Sequence, residues 1–237
     1  MCEEIIYDTS TKKDCWYKDV CTSNLCDESS FCIRHYKMTT LIEKSTLKGK
    51  QQHSSSLKPD KVDYDAFVRL KNIQKNIKDF VSNGNNILIY SDNCGNGKTS
   101  WSIKLLLSYF NEIWADTDLV CRGLFISVPK LVFAMKENIS KPNDYFQYVN
   151  ENIVNADLVV WDEINYKDWT SFEQEYFLSI LSQRLSLGKS NIYTTNFSLQ
   201  VVKEKLGPRL ASRIVGSSEL IEFKGTDKRA LGVSHNE

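Results

Sequence analysis

Residues 86–114 read NILIYSDNCGNGKTSWSIKLLLSYFNEIW, and this stretch decides the fold. NILIYS is a short apolar run of the kind that forms a strand buried on both faces. SWSIKLLLSYFNEIW is long and apolar enough for a helix packed on a sheet. Between them lie Gly95 and Gly97, followed by Lys98 and Thr99. Glycines there let successive backbone N–H groups turn inward around a phosphate, and the start of the next helix points its positive end at the same anion. Lys98 is placed to pair with phosphate oxygens, and the Thr99 hydroxyl to complete a Mg²⁺ shell. The stretch departs from the G-x-x-x-x-G-K-[ST] pattern at Asp92, which stands where the first glycine would be. The candidate nucleotide-binding residues here are Asn93, Cys94, Gly95, Asn96, Gly97, Lys98, Thr99 and Ser100.

Strands and helices alternate beyond the loop. GLFISV reads as a strand, KLVFAMKENI as a helix, ADLVVW as a strand, and SFEQEYFLSILSQRLSLG as a helix ending at Gly188. NIYTTN is a further strand, LQVVKEKLGPRLASRIVG a helix broken at Gly207 and Pro208, and ELIEFKG a last strand. Strands separated by helices predict an α/β fold, a parallel sheet flanked by helices. Ahead of the loop, Tyr64, Phe67, Leu70, Ile73, Ile77, Phe80 and Val81 recur at helical spacing until Asn83-Gly84-Asn85, which predicts one amphipathic helix.

The strand LVVW runs into Asp162 and Glu163. An Asp at a strand end facing a phosphate loop can hold Mg²⁺ through water, and an adjacent Glu can polarise the water that attacks the terminal phosphate. That Glu favours a hydrolase over a kinase, which must keep water away from the phosphoryl group. TTNFS offers no N-K-x-D element for reading guanine, which argues against a GTPase. The polar end of NIYTTN supplies a side chain to lie between the two motifs, and Asn196 is the candidate. Arg209 and Arg213 lie four apart and share one helical face, and Arg229 follows in GTDKRA. An arginine brought to a terminal phosphate, from the same chain or a neighbouring copy, stabilises transition-state charge.

The chain has 237 residues, with 30 basic and 30 acidic side chains and no formal net charge. That balance argues against a protein held to nucleic acid by bulk positive charge. No run approaches the roughly 18 apolar residues of a membrane span, and the first residues lack the pattern of a signal peptide, so a cytoplasmic location is expected. Five of the seven cysteines fall within the first 32 residues. In a reducing compartment such a cluster suggests metal. Cys15, Cys21, Cys26 and Cys32, spaced C-x5-C-x4-C-x5-C, are the candidate zinc ligands, with His35 or Cys2 as substitutes. The run LKGKQQHSSSLKPD has the composition of an exposed linker. The expected division is a zinc-binding, partner-binding domain at 1–46, a linker at 47–62 and an ATPase domain at 63–237.

Taken in order, YSDNCGNGKTS, VVWDEIN, NIYTTN, LGPRLASRI and FKGTDKR resemble the AAA+ ATPases, and within them the DnaC/DnaI-type replicative helicase loaders, especially the small versions carried by bacteriophages. The front segment DCWYKDVC…LCDESSFCIRHYKM is similar to the zinc-binding part of such phage loaders. The resemblance implies a P-loop NTPase fold, with Lys98 and Thr99 as Walker A residues and Asp162 and Glu163 as Walker B. It makes Asn196 the first sensor, Arg213 the arginine finger with Arg209 beside it, and Arg229 the second sensor. It also implies ATP, Mg²⁺ and Zn²⁺ as cofactors and a slow, partner-stimulated ATPase. The implied partners are a replicative DNA helicase hexamer, single-stranded DNA held weakly, and further copies of the chain after ATP binding; the implied place is the host cytoplasm. The IstB-type transposition ATPases share the core motifs and give the alternative, together with a non-catalytic adaptor that binds zinc and nucleotide.

Overall fold

The computed structural model describes residues 32–52, 57, 61–164 and 168–227. Strands β1 (Asn86–Tyr90), β2 (Gly123–Ser127), β3 (Leu158–Asp162), β4 (Ser190–Thr195) and β5 (Glu219–Glu222) form one parallel sheet in the order β2-β3-β4-β1-β5. A parallel neighbour can be reached only by a crossover, and helices on both faces provide it. The strand–helix alternation read from the sequence is therefore observed.

Strand alternation sorts the core into two layers. Ile87 and Ile89 of β1, Val160 of β3 and Ile192 of β4 point to one face, where α4 (Lys98–Ile113) supplies Leu105, Leu106 and Phe110. Leu88, Val159, Trp161 and Tyr193, one residue out of phase, point to the other. That second face is covered by α5 (Val128–Ser140), α6 (Asp144–Asn152), α7 (Ser171–Ser186) and α8 (Leu199–Ile214). All of these strand residues are fully buried, which explains why the strands read as continuous apolar runs.

Two elements depart from the sequence reading. The expected single helix over Tyr64 to Val81 is two, α2 (Tyr64–Lys75) and α3 (Ile77–Ser82), parted at Asn76, whose N–H reaches back to Asn72 and Ile73. Helix α6 was not expected; it starts where the Asn143 side chain caps the N–H of Phe146.

Helix α1 (Ile33–Lys44) buries Met38, Leu41 and Ile42, and Leu47 follows in the same core cluster as β1 and α4. The segment is also tied to the open edge of the sheet: Phe125 N–H donates to Ser45 O at 2.8 Å, and the Thr46 hydroxyl donates to Phe125 O. Residues 33–46, set ahead of a linker in the sequence reading, and Leu47, read as the first residue of that exposed linker, are thus packed on the sheet's α4 face. Among the described residues no helix is long and apolar enough to cross a membrane.

Candidate functional site at the phosphate loop

The loop from Ser91 to Gly97 joins the end of β1 to the start of α4. Gly95 (φ 69°) and Gly97 (φ 102°) both sit in the left-handed region that side chains avoid, so glycine is required by the turn itself. The loop is braced from inside. The Ser91 hydroxyl accepts from Asn93 N–H at 3.0 Å and from Asn96 Nδ2 at 2.7 Å. Lys98, only 5% exposed, donates from Nζ to Asn93 O at 2.7 Å and to Asn96 Oδ1 at 3.0 Å. The ammonium is therefore held at the turn where phosphate oxygens would be met. Cys94 and Asp92 are exposed, and Ser100 lies half-buried in the first turn of α4.

The acidic pair stands across from this loop because β3 and β1 both end at the same edge, separated by β4. The Thr99 hydroxyl donates to Asp162 Oδ1 at 2.8 Å, and the Thr194 hydroxyl donates to the same oxygen at 2.6 Å. Burial pushes the Asp162 carboxyl above the usual range, while the two hydroxyl donors and the Lys98 charge pull it back toward the anion. Thr99 and Asp162 thus offer the oxygen ligands that Mg²⁺ favours, at the mouth of a loop shaped for phosphate. Glu163 is exposed and in a left-handed conformation (φ 59°), rare for a residue with a side chain. Its N–H donates to the Thr194 hydroxyl at 3.1 Å.

Asn196 is the first residue beyond β4 and is half-buried, close in sequence to this group. The residue of that strand end that touches both Asp162 and Glu163 is Thr194, which the sequence reading passed over. Strand parity was the available signal: Thr194 shares a face with Ile192, as Asp162 does with Val160, whereas Thr195 points to the other layer. Asp63 was also missed. It precedes α2 as a helix cap would, yet its side chain caps nothing there. Instead its Oδ1 accepts from the N–H of Lys224 at 2.6 Å and of Gly225 at 3.0 Å, beyond β5. The segment so held reaches the phosphate loop, where Asn93 Nδ2 donates to Lys224 O and Gly225 O, and the Asp227 carboxylate packs against Gly95.

Of the candidate arginines, the two that are described, Arg209 and Arg213, are not gathered at this site. Arg209 and Arg213 lie on α8 beyond its break at Gly207 (φ 72°, ψ 165°). Arg209 is exposed. Arg213 Nε donates to Ser182 Oγ of α7 at 2.7 Å and Nη1 to Arg209 O at 3.2 Å, which turns it onto its own chain. Arg229 lies outside the described residues, as do Cys2, Cys15, Cys21 and Cys26. Cys32, the described member of the cysteine set, heads α1 and its sulfur accepts from His35 N–H at 3.5 Å. Among the described residues no group of three or more His, Cys, Asp or Glu is placed to hold a metal ion.

No protein-family model matches the chain, and no curated protein matches it by sequence. Solved structures do match. The DnaC helicase loader aligns over 80% of this chain and 99% of its own, at 18% identity and a TM-score of 0.55. DnaI aligns over 74% of this chain and 88% of its own, at 20% identity and a TM-score of 0.55. AMPPCP-bound DnaA from Aquifex aeolicus aligns over 70% of this chain but only 48% of its own, at 22% identity and a TM-score of 0.54. At such identities the likeness is one of fold alone, a parallel five-stranded α/β sheet flanked by helices.

Proposed function

We propose that the chain binds ATP with Mg²⁺ at the Ser91–Thr99 loop, hydrolyses it slowly, and uses that cycle to place a replicative DNA helicase ring on single-stranded DNA. The observation that carries the nucleotide half of this reading is the convergence of Thr99 and Thr194 on Asp162, with Glu163 alongside and Lys98 in the facing loop. In this arrangement Lys98 and the loop N–H groups hold the phosphates. Thr99 and Asp162 hold the metal, which supplies charge neutralisation between phosphates when bound, and Glu163 orients the attacking water. Asn196 serves as a further polar group on that water. The helicase half is supported by the fold shared with the DnaC loader and DnaI.

The remaining assignments belong to the same proposal. Arg213, with Arg209, acts on the nucleotide of a neighbouring copy, and Arg229 on its own. Because Arg213 is held by Ser182 within its chain, assembly must turn it outward, so turnover should rise with protein concentration. Cys15, Cys21, Cys26 and Cys32 bind zinc, and the segment that carries them contacts the helicase.

Measuring ATP turnover with and without a bacterial replicative helicase and single-stranded DNA tests the reading directly. Lys98→Ala should lose nucleotide binding, since the ammonium paired with the phosphates is gone. Glu163→Gln should keep binding and lose turnover by about 10²–10⁴-fold, the usual contribution of a positioned general base. Normal hydrolysis by Glu163→Gln would show that Glu163 is not the residue acting on water, and a wild type that binds ATP without turning it over would leave the adaptor reading in its place.

A further inference from the structure

Glu163 is held in its left-handed conformation by one residue on both sides. The N–H of Glu163 donates to the Thr194 hydroxyl at 3.1 Å, and the N–H of the next residue, Ile164, donates to the Thr194 carbonyl at 3.0 Å. A non-glycine residue in this region costs on the order of 1–2 kcal/mol and persists only where its surroundings fix it. The hydroxyl both donates and accepts. It has one hydrogen and two lone pairs; the hydrogen goes to Asp162 Oδ1 at 2.6 Å, which leaves a lone pair for Glu163 N–H. Thr194 is 1% exposed, so no water replaces either bond if the hydroxyl is lost. Thr99 reaches the same oxygen of Asp162 from the phosphate-loop side, so Thr194 is the counterpart that fixes the carboxylate from the β4 side.

From this geometry we infer that Thr194 is a positioning residue for the reaction proposed above: it sets the Asp162–Glu163 turn so that one carboxylate faces the metal and the other faces the attacking water. It touches neither nucleotide nor water and acts through these two carboxylates. Groups that orient ligands of a metal site commonly change affinity or activity by about 10–100-fold when removed. The inference rests on the ATPase reading.

The test compares wild type with Thr194→Val, Thr194→Ser and Thr194→Ala, following ATP turnover and the Mg²⁺ concentration needed for half-maximal binding of a fluorescent ADP. Thr194→Val keeps the shape and loses both hydrogen bonds. It should lower kcat by about 10–100-fold with KM for ATP little changed, and raise the Mg²⁺ requirement. Thr194→Ser should restore both readouts. In a Glu163→Gln background, Thr194→Val should lower turnover little further, because the two act as one unit. Thr194→Val with wild-type kcat and an unchanged Mg²⁺ requirement overturns the inference. If the valine variant does not fold, serine and alanine decide, since they differ only in the hydroxyl; equal kcat and equal Mg²⁺ requirement overturn it. Where the wild type binds nucleotide without turning it over, the Mg²⁺ requirement alone decides. A wild type that neither binds nor hydrolyses ATP overturns the ATPase reading and this inference together, whereas an active wild type with hydroxyl-independent turnover overturns this inference alone.

Discussion

Arg184 shows how much a single side chain organises. It is fully buried, at 0% exposure, and lies at the end of the sheet opposite the phosphate loop, beside the first residues of β4. Nε donates to Asn191 Oδ1 at 2.7 Å, Nη1 to the carbonyls of Ile153 and Ala156 at 2.6 and 2.7 Å, and Nη2 to Ser190 O at 2.6 Å. Asn191 passes the network on, accepting from Trp161 Nε1 and donating to Asn86 of β1. One guanidinium therefore ties the end of α6, the approach to β3 and the start of β4. Burial lowers its pKa to about 10, which leaves it charged at neutral pH. Arg184→Ala orphans several buried carbonyl acceptors at once, each costing about 1–3 kcal/mol when left unsatisfied, so it should destabilise the fold by about 3 kcal/mol or more, read as a lower urea midpoint. Arg184→Lys keeps the charge and loses the fork, so it should rescue only in part. The sequence held a hint. Phe177, Ile180, Leu181 and Arg184 fall on one helical face, so an arginine stands where an apolar residue would be expected. Its partners were not legible, because they are carbonyls of distant segments.

At the scale of elements, the segment after β5 links parts of the chain that sequence order keeps far apart. Asp63 stands at the entrance of α2 and holds Lys224 and Gly225, 161 and 162 positions away, and these in turn accept from Asn93 in the phosphate loop. Hydrogen bonds to a charged acceptor contribute about 1.5–3 kcal/mol each. Asp63→Ala should therefore cost about 3 kcal/mol or more in stability and speed proteolytic cleavage around residues 223–227. Asp63→Asn keeps an acceptor oxygen and should lose less. The sequence reading singled out Arg229 in this segment, but nothing local in EFKGTD marks its backbone as a partner of Asp63 or of the loop. The break between α2 and α3 was hidden for a similar reason: Tyr64 to Val81 keeps one apolar period throughout, and only the backbone at Asn76 shows that it is interrupted.

For the molecule as a whole, α1 closes the α4 face of the sheet. Met38, Leu41, Ile42 and Leu47 are each no more than 1% exposed and share a cluster with β1 and α4. Leu41→Ala should cost about 2–5 kcal/mol, as a large-to-small change in a packed core does, measured by urea unfolding. A chain beginning at residue 63 should unfold at a lower temperature than one beginning at residue 32, because the first loses this cover. The amino-acid sequence alone determined the strand–loop–helix order, the glycines of the phosphate loop and the acidic pair at a strand end. Those signals are local: a period of two or 3.6, or residue types within a few positions. The tertiary structure alone decided the strand order, the choice of Thr194 among the polar residues closing β4, the reach of Asp63 to Gly225, and the inward turn of Arg213. Each depends on backbone groups brought together from distant parts of the chain, and a hydrogen bond of that kind leaves no period in the sequence.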